Sequence, residues 1–374
     1  MSRSTYADLA GGDTRVHHCL SDEAFLGGLV DFEKAVAKAA CQVGLIDSSG
    51  LEQALHVIED FDLKLEDLSR SAISGANPVI PLVKELKAKS PQGIHVGATS
   101  QDAIDSSLML VMRKAIRQLL VLVDENLELL KTLALTHRNS PVIGHTLGQQ
   151  ATPTTFGLCA ALWWQQLQEA RRDLDALVFP VQFAGATGTL AAVYPHGMKM
   201  HEIIAEELGL VSRPMVWHTD RTPMLKIANS LCETAIAANK IATDLIAFSA
   251  TEIAEVQEAN PGGSSAMPHK ANPAAAIAAR GYALQAPGYL NMLTTCAVHL
   301  QQRAIGEWHA EWRSIRELAA CAGSAQARIN AALSGLQVYT ETMSRNLKQA
   351  ETGKQSVGHA AELVDTILRG DCYD

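Results

Sequence analysis

The chain carries little positive charge for its size. Its 374 residues hold 31 Lys and Arg against 40 Asp and Glu, a formal net charge of −9. No basic stripe is visible, which argues against a nucleic-acid partner. An anionic ligand has to be held by a local positive site against the overall field. Cysteine is sparse and unclustered. Cys19, Cys41, Cys159, Cys232, Cys296, Cys321 and Cys372 are seven in number and never form C-x-x-C. That pattern excludes a disulfide framework or zinc cluster and fits reduced thiols in a cytoplasmic chain. There is no uninterrupted apolar run of the ~18 residues that a membrane helix needs. The opening stretch MSRSTYADLAGGDTR has no apolar segment of the secretory kind. No internal repeat, low-complexity tract or sustained β-alternation appears. Hydrophobic residues still make up 47% of the chain, enough to build a core and to exclude wholesale disorder.

Proline and glycine are missing from long stretches. Ser106 to Ser140 and Leu225 to Ala259 contain neither, Phe156 to Val178 is broken only at Gly157, and Tyr289 to Ala322 only at Gly306. The first of these predicts a helix roughly 50 Å long at about 1.5 Å per residue, well beyond the ordinary length. Phe25, Leu29, Phe32, Val36, Ala40 and Val43 mark one face of an earlier helix, with Ser21 or Asp22 as cap and Gly44 as stop. A further helix is expected from Asp47 or Ser48 through Leu51 to Leu63. Leu119 to Val123 is apolar nearly all round, as in a helix buried on several sides. One chain of this size has difficulty burying several such rods alone. The pattern therefore predicts an all-α protein whose long helical bundle pairs with bundles of other subunits.

Glycine, proline and small polar residues collect in a few connectors, where sites are usually built. The segment Asn260-Pro-Gly-Gly-Ser-Ser-Ala-Met-Pro-His-Lys-Ala-Asn-Pro273 reads as a flexible flap. It carries hydroxyls at Ser264 and Ser265, a cation at Lys270 and an amide at Asn272, with glycines that let backbone N–H groups approach an anion. A solvated surface loop has the same composition. His95-Val-Gly-Ala-Thr-Ser-Gln-Asp102 and Gly144-His-Thr-Leu-Gly-Gln-Gln-Ala-Thr-Pro-Thr-Thr-Phe-Gly157 are hydroxyl- and amide-rich loops running into long helices. Such helix starts suit carboxylates, and ordinary capping uses the same residues.

Taken together, the three connectors resemble the three signature regions of the fumarase/aspartase superfamily in content, order and spacing. Gly263-Ser-Ser-Ala-Met-Pro-His-Lys-Ala-Asn-Pro273 is the most specific of them, and the resemblance spans roughly residues 15 to 345. It implies a helical fold of that superfamily's type, with a long central bundle and a three-domain plan. The expected parts are an N-terminal helical domain over 1–105, the bundle and tetramer core over 106–345, and a shortened C-terminal helical segment over 346–374. It further implies a homotetramer with active sites shared between subunits.

Within the superfamily most members place a His in the second region, paired with a Glu after the third. Here those positions are Leu147 and Ile277. Losing both halves of a pair is coherent, because losing one would strand a polar partner. The lactonising branch, the 3-carboxy-cis,cis-muconate cycloisomerases, also lacks the pair. It is resembled further by Asp31-Phe-Glu33, the segment from Gly75 to Lys84, Gln182-Phe-Ala-Gly-Ala-Thr-Gly-Thr-Leu-Ala191, Val216-Trp-His-Thr-Asp-Arg221 and Arg303-Ala-Ile-Gly-Glu-Trp-His-Ala-Glu-Trp312. His145, where the branch tends to have Arg, and Gln301-Gln302, in place of His-Glu, depart from it. A 3-sulfomuconate is therefore an alternative substrate, and an adenylosuccinate-type lyase a more distant one.

The branch resemblance implies intramolecular lyase chemistry in aromatic (protocatechuate) catabolism, the β-ketoadipate pathway. A substrate carboxylate adds to a double bond of the same muconate, and a proton reaches the neighbouring carbon. Ser264 is expected to move the proton, with Lys270 and Asn272 polarising the adjacent carboxylate. Thr99, Ser100, Thr146, Gln149, Ser265, Met267 and Arg303 are expected to hold the remaining groups, Arg303 as a bidentate anion clamp. His218 and His309 read either as substrate contacts or as packed histidines, His269 as structural or solvent-facing, and His17 and His18 lie near the substrate-binding N-terminal segment of relatives. No metal ligand set and no nucleotide loop are evident, so no cofactor is expected.

Overall fold

The computed structural model describes residues 13–61, 65–213 and 216–370. The outer parts of the expected terminal segments, Leu63 and Cys372 fall outside the described residues.

Local signals set the first helices. Asp13 accepts the Val16 amide at 2.8 Å and starts α1 (Thr14–Cys19). Ser21 accepts the Ala24 amide at 3.1 Å and starts α2 (Asp22–Gln42), which buries Leu29, Phe32, Ala35, Val36, Ala39 and Ala40. Gly44, at a φ of 79°, lets the chain turn away. Asp47 caps α3 (Ser48–Glu59), and α4 (Leu65–Ala72) and α5 (Val79–Lys89) complete the N-terminal part.

The long rods follow. They are α6 (Ser100–Thr136, 37 residues), α7 (Phe156–Asp175), α9 (Thr222–Phe248, 27 residues) and α12 (Glu307–Leu333, 27 residues), with α8 (Gly197–Leu208), α10 (Ala274–Ala283) and α11 (Ala286–Cys296) between them. The helix α6 packs on α2, α7 and α12, and α9 packs on α7, α10, α11 and α12. Gly157 opens α7 where a Cβ would stand 2.6 Å from Ala134 O and the Arg138 backbone, so only glycine permits that closeness to the end of α6. One buried polar tie fixes the register of three rods. Asn126 of α6 donates to Gln326 Oε1 of α12 at 2.8 Å, and Gln326 donates to Thr234 O of α9 at 2.8 Å.

Three expectations are corrected. The stretch from Tyr289 to Ala322 is two helices joined by a loop over 297–306, with Gly306 at a φ of 152° just before α12. The rod from Leu225 stops at Phe248, where Ser249 turns its hydroxyl onto Leu245 O at 2.7 Å and the chain leaves the helix. The connector from Pro141 to Thr155 is a hairpin of β1 (Pro141–Thr146) and β2 (Gln149–Thr155), with Leu147 and Gly148 forming its two-residue turn at φ 51° and 77°. Positive φ at both turn residues matches the twist of paired strands. A second small ladder pairs β3 (Val256–Gln257) with β4 (Gln337–Val338). The chain continues through α13 (Thr340–Gln349) and α14 (Ala360–Arg369), which pack on β1 and on α7 respectively.

In the stretch that reads as apolar all round, Leu119, Leu122 and Val123 are buried while Val121 is exposed. Leu162 of α7, Ile236 of α9 and Met292 of α11 are exposed as well. The rods therefore display apolar surface that this chain does not cover itself.

Candidate active site

The first signature region is held by a buried carboxylate at the head of α6. Asp102 Oδ1 lies 2.6 Å from His218 Nε2 and accepts the Ala184 amide at 3.1 Å. Its Oδ2 accepts the Gly185 amide at 2.9 Å and the Thr99 amide at 3.0 Å. Both Asp102 and His218 are buried. One side chain thus joins the loop 95–99, the loop 183–190 and the segment 216–221. The neighbouring His95 is fixed by Glu33 of α2, which takes its backbone N–H at 2.8 Å and lies 2.7 Å from its Nδ1. Thr99 and Ser100, half-buried, stand at the N-terminus of the longest helix, where free N–H groups favour an anion.

One helical turn on, Asp105 meets a buried arginine. Arg221 donates to Asp105 at 2.9 and 3.2 Å and to Glu311 of α12 at 2.7 and 3.1 Å, and its guanidinium lies 5.0 Å from the Trp217 ring. Trp308 Nε1 also donates to Asp105, at 2.9 Å. Burial alone would lower the Arg221 pKa, but the two carboxylates outweigh it and hold the pKa above the usual guanidinium range. A pair this dry needs both partners.

Arg303 also holds the 183–190 loop. Its Nη2 donates to Gly185 O at 3.1 Å and Ala186 O at 2.8 Å, and its Nη1 to Gln101 Oε1 at 2.5 Å. In this structure both terminal nitrogens of Arg303, which the sequence suggested as an anion clamp, are hydrogen-bonded to protein oxygens. Asp102 takes two amides of the loop while Arg303 takes two of its carbonyls. Burial lowers the Arg303 pKa, with Asp102 and Asp105 opposing that shift.

The third region is a loop closed at its base. Gly262 and Asn272 exchange two backbone hydrogen bonds of 2.8 Å, and Asn272 Nδ2 donates to Gly263 O at 3.1 Å. Glu258, buried, accepts the amides of Ala275 and Ala276 at 3.1 and 2.8 Å, which caps α10 and anchors the loop's exit. Beyond that base, Ser265, Met267, His269 and Lys270 are exposed. Ser264 Oγ accepts the backbone amides of Ala266 and Met267 at 3.3 and 3.2 Å.

The second region is the hairpin tip. Thr146 and Gln149 face each other across the turn and are exposed, and Leu147 projects wholly into solvent. Ile277, on α10, is also exposed. His309 is exposed on α12 and meets the Trp308 ring edge-on and the Trp312 ring at a tilt. His17 lies 3.2 Å from Ser324 Oγ, and His18 is exposed.

Within one chain the structure thus gathers Thr99, Ser100, His218 and Arg303. Among the described residues no hydrogen bond ties Ser264, Lys270 or Asn272 to that group or to the hairpin. Sequence reasoning missed Asp105, Arg221, Glu258 and Glu311 as organisers. The available signal was their charge in stretches otherwise destined for burial. Also among the described residues, no group of three or more His, Cys, Asp or Glu could hold a metal ion, and no helix is long and apolar enough to cross a membrane.

Long helices that carry small polar loops at their junctions, with a glycine-flanked hydroxyl beside a lysine and an amide, define a helical-bundle lyase. A family model described as Lyase matches residues 13–288, and the chain belongs to that family. It is 37% identical over 377 residues to a nitrosuccinate lyase of Streptomyces davaonensis, covering 96% of this chain and 79% of that one. It is 35% identical over 342 residues to a 3-carboxy-cis,cis-muconate cycloisomerase of Pseudomonas aeruginosa, covering 87% and 74%. The crystal structure of a 3-carboxy-cis,cis-muconate lactonizing enzyme from Pseudomonas putida superposes with a TM-score of 0.86 at 29% identity, over 98% of this chain and 88% of that one.

Proposed function

We propose that the chain is a lyase that forms or breaks a bond next to a carboxylate by moving a proton through Ser264, and that it lactonises 3-carboxy-cis,cis-muconate. The observation that carries the reading is at Ser264, whose Oγ receives two backbone amides in a glycine-flanked loop that also presents Lys270 and Asn272. A serine is a weak acid, and donors aimed at its oxygen stabilise the alkoxide form that proton transfer requires.

In the proposed reaction one substrate carboxylate oxygen bonds to a carbon of the diene. The π electrons move onto the neighbouring carboxylate as an enediolate, which Lys270 and Asn272 polarise. Ser264 delivers its proton to the adjacent carbon, the carboxylate re-forms, and solvent reprotonates the alkoxide. No net oxidation occurs, and the substrate supplies its own nucleophile. Holding the muconate bent contributes several kcal/mol through effective molarity. Thr99, Ser100, Thr146, Gln149, Ser265 and Met267 surround it, while Arg303 and His218 shape the 183–190 loop and His309 lies at the rim. Among the described residues no hydrogen bond joins the flap's Ser264, Lys270 or Asn272 to the first region, and the rods expose apolar surface. Both facts support a homotetramer in which different subunits complete one site.

The 37% identity to a nitrosuccinate lyase favours a second reading on the same machinery. Ser264 as base would remove a proton beside a carboxylate, and nitrite would leave from the next carbon. A substrate panel separates the two. Loss of the ultraviolet absorbance of the conjugated diene is followed with 3-carboxy- and 3-sulfomuconate, nitrite release with nitrosuccinate, and adenylosuccinate serves as control. Fastest diene loss with 3-carboxymuconate is expected. Nitrite release without diene loss overturns lactonisation in favour of elimination.

A further inference from the structure

A cavity of about 490 Å³ opens beside the junction of α1 and α2, where α6 and α12 run together. Phe25 of α2, Leu108, Val111 and Met112 of α6 and Trp312 of α12 wall it, and its surface is mainly apolar. That volume lies in the range of small-molecule sites. The cavity is separate from the candidate active site. The α6 residues that line it run from Ile104 to Met112, about one to three turns beyond Thr99 and Ser100 at the helix head. None of Thr99, Ser100, Ser264, Lys270 and Arg303 lines it.

This lining holds hydrogen-bond donors without acceptors. Trp312 Nε1 and Arg316 Nε are both closed to solvent and both without a partner. Spaced i, i+4, the two side chains share one face of α12. Both groups only donate, so each needs an acceptor brought to it, and a buried N–H left alone is costly. The charged side chains of the lining balance, Asp22 and Glu317 against Arg313 and Arg316. Asp22 is already engaged, accepting from Arg316 Nη1 at 3.0 Å. That bond leaves the Nε edge of the guanidinium, the edge that grips a carboxylate side-on. The Arg316 side chain is still 26% exposed, so it has room to turn this edge into the cavity. The Ser21 hydroxyl oxygen is committed to the Ala24 amide. What the lining lacks is an acceptor.

We infer that this cavity is a binding site for a carboxylic acid with an apolar body. The body lies against Phe25, Leu108, Val111, Met112 and Trp312, and the carboxylate takes the N–H groups of Trp312 and Arg316. A cationic amphiphile of the same length leaves both donors unmet, although the net charge of −9 draws cations to the protein as a whole. A preference for the acid is therefore a property of the cavity and not of the overall field. The inference does not rest on the lyase reading, because no residue of the proposed reaction lines the cavity.

The test is isothermal titration calorimetry of the full chain with sodium decanoate and with decyltrimethylammonium, both below their micellar concentrations. Decanoate is expected to fill a single saturable site, about tenfold or more tighter than the ammonium. Arg316→Met is expected to weaken decanoate about tenfold and to leave the ammonium unchanged. Trp312→Phe, which keeps the apolar wall and removes the N–H, should weaken decanoate about threefold to tenfold. Val111→Phe, which fills the cavity, should weaken both ligands. The absence of saturable decanoate binding overturns the inference, and so does decanoate that binds no more tightly than the ammonium. Wild-type affinity in Arg316→Met or in Trp312→Phe overturns the placement of the carboxylate. Should one variant fail to fold, the two ligands on the wild type still decide the chemical class and the other variant decides the place.

Discussion

Asp102 and His218 lie far apart in the chain, yet Asp102 Oδ1 is 2.6 Å from His218 Nε2 with both side chains buried. The same carboxylate takes the amides of Thr99, Ala184 and Gly185. Three loops that meet at the candidate site are thus hung on one side chain. Removing it leaves several buried donors and an imidazole unpartnered. Asp102→Ala is expected to destabilise the protein by about 3–5 kcal/mol, read as a lower urea midpoint. Asp102→Asn, which keeps one acceptor oxygen, should fall between the two. A midpoint unchanged in Asp102→Ala would mean that the loops are held by other contacts.

Arg221 bridges Asp105 and Glu311 in a site closed to water. Arg221→Met leaves two buried carboxylates facing each other, and a loss of about 3–5 kcal/mol is expected in denaturant unfolding. The triple change Asp105→Leu, Arg221→Met, Glu311→Leu should recover much of that loss, because it removes the stranded charges as well. If the triple variant is no more stable than the single one, stranded charge is not what the single variant suffers from.

How much of this was legible in the sequence depends on how local the signals were. The long rods follow from stretches nearly free of Gly and Pro, and α2 and α3 from side-chain caps such as Ser21 and Asp47, all signals within a few residues. The hairpin was not legible. Gly144, Pro153 and its threonines read as a connector, and its turn asks a leucine, Leu147, to adopt a positive φ. The flap, the first region and the hairpin each stand out by composition. Their partners do not: Asp102 meets His218, Arg221 meets Glu311 and Arg303 meets Gln101 only once the helices have packed. Arg303 shows the consequence, since the sequence suggests an anion clamp but does not disclose its hydrogen bonds to the carbonyls of Gly185 and Ala186.

The buried thiols give a pH dependence. Burial pushes Cys321 up to about 12, with Glu317 adding to it, and pushes Cys159 up to about 11. Below the ordinary thiol value of 9.0 both the folded and the unfolded chain keep these protons, so stability is unaffected there. Above it the unfolded chain loses protons that the folded chain retains, and stability falls as pH rises, by up to about 1.4 kcal/mol per pH unit and thiol. Unfolding midpoints between pH 8 and 10 check the direction. Cys321→Ser should flatten the slope. A thiol reagent at pH 8 should label Cys321 only after unfolding, and fast labelling of the folded protein would contradict the burial.

The central claim is that the Ser264 hydroxyl carries the proton. Turnover of 3-carboxy-cis,cis-muconate, followed as loss of diene absorbance, is compared for the wild type and Ser264→Ala at matched helicity and oligomeric state. The account predicts a fall of about 10²-fold or more in kcat, the scale of a lost general acid–base group. Turnover by Ser264→Ala within a factor of a few of the wild type would contradict it.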